Sequence, residues 1–157
     1  MDDLNIIRQA IELALQAEEE GNLPVGAVIT LHGKLVAEGQ SRIFTPKIDL
    51  TRHAEMEVLK ALPQEFWNSP EKLCLFTTLE PCLMCLGAIL LSGVGRVVFG
   101  SVDSYGGAEC VRPNLPQFFR ERFDALEWMG PILPTECDPL HQRLRMIEIS
   151  KESDQNT

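Results

Sequence analysis

His53-Ala54-Glu55, followed downstream by Pro81-Cys82-Leu83-Met84-Cys85, is the pair of stretches on which the fold and chemistry of this chain turn. Together they supply one imidazole, two thiols and a carboxylate that need not bind metal. Zinc takes Cys and His ligands tetrahedrally; structural sites fill all four positions, whereas catalytic sites leave one for water or substrate. Three ligands, His53, Cys82 and Cys85, therefore predict an open zinc site, one ion per chain. Cys82 and Cys85 are spaced so that a helix puts both thiols on one face, about a turn apart. Pro81 suits the first turn of such a helix, where its missing N–H costs nothing. The positive end of the helix dipole favours the thiolate forms that bind metal. His53 and Glu55 converge only if His53 enters a helix in non-helical geometry and Glu55 lies in its first turn. Thr51 is the expected cap of that helix, ahead of the apolar run Met56, Val58, Leu59, Leu62. Both halves of the site belong at helix N-termini.

Zinc lowers the pKa of bound water to near neutrality, and a neighbouring carboxylate such as Glu55 can take a proton from that water and pass it to a leaving amine. The reaction this fits is hydrolytic deamination: hydroxide attacks a ring carbon bearing an amino group, ammonia leaves and a carbonyl remains. His-x-Glu with Pro-Cys-x-x-Cys is the signature of the zinc deaminases, and the chain resembles the zinc-dependent cytidine and nucleobase deaminase superfamily. Leu23-Pro24-Val25-Gly26-Ala27-Val28-Ile29, Thr78-Leu79-Glu80-Pro81-Cys82, Gly87-Ala88-Ile89 and Gly95-Arg96-Val97-Val98-Phe99-Gly100 are similar to the branch of tRNA adenosine deaminases, guanine deaminases and fungal cytosine deaminases. The resemblance runs from about 4 to 149. It implies that His53, Cys82 and Cys85 bind zinc, that Glu55 is the proton shuttle, and that the backbone around Ala54, Pro81 and Cys82 helps hold substrate. It also implies a three-layer α/β/α cytidine deaminase-like fold: a mixed five-stranded sheet with the two zinc-binding helices packed on one face. Because members of this size are usually dimers or larger, with active sites near the subunit contacts, the resemblance also implies a homodimer.

Cys-x-x-Cys alone also fits a structural zinc knuckle, a redox pair or two buried thiols. A closed site needs a fourth ligand, and Cys74, Cys110 and Cys137 lack partner-like spacing; each is expected as a small buried hydrophobe. His32, in the turn Leu31-His32-Gly33-Lys34, and His141, in a C-terminal helix, are expected on the solvated surface. Glu80 adjoins the motif and does either structural or substrate-orienting work.

At 157 residues, 45% hydrophobic and 24% charged, the chain can bury one sizeable core, so a single domain over 1–150 with a flexible tail over 151–157 is expected. No apolar run approaches the roughly 18 residues of a membrane span, and Met1-Asp2-Asp3-Leu4 lacks the profile of a signal peptide. A soluble, cytoplasmic protein without membrane contact follows. Five cysteines, an odd number, argue against a disulfide framework. Apolar spacing predicts a helix over 4–19, a hairpin of 25–31 with 35–39, a helix over 53–62, and strands over 73–78 and 96–100 flanking a helix over 82–92. A helix near 115–122, a strand near 125–129 and a helix over 135–147 complete an α/β pattern.

Charge bears on substrate. The net charge of −9, with 14 basic and 23 acidic residues, disfavours affinity built on neutralising phosphates. Arg112, Arg120, Arg122, Arg143 and Arg145 recur, but scattered arginines read as a solvated face. Relatives usually carry an asparagine after the second strand to read the ring edge of the base; here Ser41 stands in that place, and a hydroxyl offers a different hydrogen-bond code. Arg52, directly before the zinc histidine, either holds a substrate phosphate or carboxylate bidentately or pairs with Asp49. The first expectation is therefore deamination of the exocyclic amine of a free nucleobase or nucleoside, a purine such as guanine slightly favoured, with nucleic acid disfavoured as a partner. The alternatives are a tRNA wobble adenosine deaminase, which flips the base into its pocket, and a zinc-binding interaction module without turnover, which an intact Glu55 disfavours.

Overall fold

Five short apolar stretches form one sheet with both faces covered. In the computed structural model, which describes residues 2–155, β1 (Gly26–Leu31), β2 (Lys34–Gln40), β3 (Leu73–Leu79), β4 (Arg96–Ser101) and β5 (Glu127–Met129) lie in the order β2-β1-β3-β4-β5. β1 runs antiparallel to β2 and β3, while β3, β4 and β5 are parallel. The sheet is therefore mixed, with helices on both sides.

Successive side chains of a strand point to opposite faces, and the strands use both. Ala27, Ile29, Leu75 and Val97 meet Val58 and Leu59 of α2 (Ala54–Ala61), Leu86 and Ile89 of α3 (Leu83–Ser92), and Phe123 of α4 (Gln117–Ala125). Val28, Phe76 and Val98 turn the other way, onto Ile6, Ile7 and Ala10 of α1 (Asp3–Glu19) and Cys137 of α5 (Pro134–Gln155). Each such side chain contributes roughly 1.5–3 kcal/mol when fully buried. The layer carrying α2 and α3 brings both ligand stretches to one side of the sheet. On the other side, a Cβ on Gly26 would stand 2.0 Å from the Ala10 carbonyl oxygen, so glycine is what lets β1 lie directly against α1.

Several expectations need correction. α5 runs on to Gln155, so 151–155 is helix rather than tail; Lys151 Nζ sits 4.1 Å from the centre of the Phe44 ring, and residues 156 and 157 lie outside the described residues. The expected strand at 125–129 shortens to Glu127–Met129 because α4 extends through Ala125. Cys110 is exposed rather than buried. His141 is not a solvated surface group: its side chain is 18% exposed, with Nε2 3.5 Å from Asp103 Oδ1. Among the described residues, no helix is long and apolar enough to cross a membrane.

Candidate active site

His53 is the N-cap of α2, in extended geometry at φ −68° and ψ 155°, and Glu55 follows in the first turn. This is the conformation that the spacing of the two residues demands. Cys82 is likewise the N-cap of α3, at φ −73° and ψ 173°, with Cys85 one turn into the helix. Neither helix has a side-chain cap. Thr51 does not serve as one; its hydroxyl and N–H both donate to Asp49 Oδ1.

The Sγ atoms of Cys82 and Cys85 lie 3.5 and 3.6 Å from His53 Nδ1. All three donor atoms fall within 4.8 Å of one another. Zinc bonds of about 2.0–2.3 Å put tetrahedral ligand atoms roughly 3.3–3.8 Å apart, so this donor set fits zinc without rearrangement. A hydrogen bond from Cys85 holds the Cys82 thiol down at about 4, against the effect of burial and with help from His53. The same bond, with burial, pushes the Cys85 thiol far up.

Glu55 is 3% exposed, and burial raises its carboxyl above the ordinary carboxylate range. Thr77, fully buried on β3, donates its hydroxyl to Glu55 Oε1 at 3.1 Å. Glu55 Oε2 lies 3.5 Å from Cys85 Sγ, on the ligand side. One oxygen is fixed and the other faces the metal ligands.

A cavity of about 540 Å³ opens over this centre, with His53, Ala54, Glu55 and Cys82 on its floor. Ser41 lines it and is 1% exposed, and its Oγ has no hydrogen-bond partner among the described residues. Phe44, Leu50, Glu80, Asp103 and Tyr105 also line it, together with Arg145 and Lys151 of α5. Arg52 and Pro81 do not line it. Arg52 instead grips Glu57 through two hydrogen bonds of 3.2 and 2.7 Å, which replaces both the substrate clamp and the Asp49 pair as its role. Pro81 precedes the helix rather than opening it, and its carbonyl accepts from Ala108 N at 3.0 Å. Thr77, Tyr105 and the α5 residues escaped the sequence reading. An exposed tyrosine and a buried strand threonine have no spacing that marks them.

Residues 1–101 match the family described as "Cytidine and deoxycytidylate deaminase zinc-binding region". The chain is 40% identical over 136 residues to the tRNA-specific adenosine deaminase of Bacillus subtilis, covering 83% of this chain and 81% of that one. A structure from studies of A-to-I editing by tRNA:A34 deaminases at the wobble position of transfer RNA superposes with a TM-score of 0.69 at 26% identity, over 87% of this chain and 99% of that one. Guanine deaminase from Nitrosomonas europaea superposes at 0.67 and 19% identity over 92% and 85% of the two chains, a likeness of fold alone. The relatives, named as tRNA-specific adenosine deaminases, overturn the expectation of a free nucleobase such as guanine and the expectation that nucleic acid is disfavoured as a partner, and favour the tRNA alternative. Net charge is a sum over the whole surface, and it does not report what one small cavity admits.

Proposed function

The chain belongs to the cytidine and deoxycytidylate deaminase zinc-binding family, and from that premise we propose that it converts adenosine to inosine at the wobble position of a transfer RNA. The observation carrying this reading is the 40% identity to a tRNA-specific adenosine deaminase over 83% of the chain. The zinc-dependent hydrolytic deaminase chemistry of the family is supported here by the donor set and by Glu55 beside it.

His53, Cys82 and Cys85 would hold the zinc ion, which would supply a water acidified to near neutrality. Glu55 takes a proton from that water at Oε2, the oxygen on the ligand side, while the Thr77 hydroxyl keeps Oε1 in place. As the water oxygen bonds to the amino-bearing carbon, Glu55 passes one of the water's protons to the adjacent ring nitrogen and the second to the amine, so the C–N bond breaks, ammonia leaves and a carbonyl remains. The base must leave its stack to reach this floor. A cavity of about 540 Å³ has room for one flipped nucleoside. Ser41 Oγ, buried and unpartnered, is the group assigned to the base edge, and the backbone at Ala54 to holding the ring. Cytoplasmic residence accompanies such a substrate. A homodimer is proposed with it, for which Leu83 and Leu91, 59% and 62% exposed on α3, offer an apolar face.

The test is incubation of the zinc-loaded protein with an anticodon stem-loop RNA carrying adenosine at its first anticodon position, and with the same loop carrying guanosine there. Inosine formed only from the first, and absent with Glu55→Ala, supports the reading. Zinc-replete protein that makes no inosine and binds no stem-loop at low salt overturns it.

A further inference from the structure

Glu80 is 6% exposed at the C-terminal end of β3, and both of its carboxylate oxygens are engaged. Oε2 accepts from the Asp103 N–H at 3.0 Å and Oε1 from the Glu109 N–H at 3.2 Å. One carboxylate thus grips a loop at both of its ends. That loop carries Asp103, Tyr105 and Gly106 into the cavity wall, which Glu80 itself also lines. Inside it, Asp103 Oδ1 accepts from the N–H groups of Tyr105 and Gly106 at 2.9 and 3.0 Å, so the turn is braced from within as well.

The same loop is joined to the metal-ligand segment. Ala108 N donates to the Pro81 carbonyl at 3.0 Å, and Gly107 forms an isolated bridge with Cys82. A Cβ on Gly107 would lie 2.4 Å from the Glu80 carboxyl carbon and 2.4 Å from the Asp103 carbonyl oxygen, so glycine is needed for the backbone to rest on the carboxylate. We propose that Glu80 is a positioning residue that locks the Asp103–Gly107 wall of the substrate cavity to the zinc-ligand loop, setting substrate fit without touching the reacting atoms.

Its acceptor count makes this testable. A glutamine keeps one acceptor oxygen and sets an NH₂ against the second N–H, so Glu80→Gln loses one end of the grip, whereas Glu80→Ala loses both. In zinc-loaded protein, amide hydrogen exchange at Asp103 and Glu109 should speed up at one of the two positions in Glu80→Gln and at both in Glu80→Ala, with zinc held at one per chain. On the stem-loop substrate KM should rise about threefold and then about tenfold along the same series, with kcat changed less than about threefold. Gly107→Ala, which retains the carboxylate but displaces it, should raise KM like Glu80→Gln, and it serves if Glu80→Ala folds poorly. Unchanged exchange at both amides, or a fall in kcat at constant KM, overturns the proposal. The choice of RNA rests on the proposed function, but the exchange measurement does not: inactivity of the wild type on RNA with a clear exchange response would sink the substrate and leave the positioning role standing.

Discussion

The hydroxyl of Thr77 stands 3.1 Å from Glu55 Oε1, and both residues are buried. A carboxylate with one oxygen tethered can present only the other to the reacting atoms. In the proposed mechanism the tether is part of how Glu55 is aimed.

Thr77→Val keeps the shape of the side chain and removes the donor. Hydrogen bonds to charged groups are worth about 1.5–3 kcal/mol, so kcat should fall between about tenfold and a hundredfold with KM and zinc content held. Steady-state kinetics beside a metal assay check this. A variant with wild-type kcat would show that Glu55 aims itself.

Removing a metal ligand should act through folding as well as chemistry, because a site assembled from two helices exists only in the folded chain. Cys85→Ser is expected to lose zinc, abolish turnover and lower the Tm. Chelation of the wild type should lower the Tm in the same direction, and re-addition of zinc should restore it.

How far the site could be read in advance follows from the physics of each residue. The spacing of His53 and Glu55 allows one convergent geometry, at a helix entry, and that is where α2 begins. The i, i+3 thiols and the alternating strands carry equally strong periodic signals. Arg52 was unreadable because its partner Glu57 is reached across the helix entry, in a geometry that no regular spacing predicts. The last turns of α5 have no apolar repeat; what they offer, such as Lys151 over the Phe44 ring, is a tertiary contact. The arginines that suggested a patch are largely spoken for, Arg112 by Asp124, Arg143 by Glu18 and Arg145 by Glu148.

Tyr105 is 78% exposed at the cavity wall, with the Arg145 guanidinium carbon 4.0 Å from its ring centre. Stacking of a base on an aromatic side chain is worth about 1–3 kcal/mol. Tyr105→Ala should weaken stem-loop binding by about tenfold or more while leaving zinc content and Tm unchanged, as read by titration of labelled RNA at fixed salt. Equal affinity would remove Tyr105 from the RNA contact surface.

Acid should unfold the protein partly through Asp3. The hydrogen bond from Arg96, at 2.7 Å between Nη2 and Oδ2, holds its carboxyl below the ordinary 3.8, against the effect of burial. A group whose folded pKa is depressed adds stability above its unfolded value and loses it as the pH falls through the folded value. Arg96→Met should therefore lower the Tm at pH 7 and flatten its decline below about pH 4. A parallel decline in both proteins would contradict the assignment.

The three donors that fit zinc lie at His53, Cys82 and Cys85, with Glu55 between them in sequence, whereas one wall of the cavity above them is built by α5, from Leu144 to Glu152. Part of the cavity wall is thus carried on a stretch of chain that holds none of the metal ligands. Mutational drift in that last helix is free to retune which molecule is admitted while the reaction performed on it stays the same, and libraries confined to 144–152 are the economical route to altered selectivity.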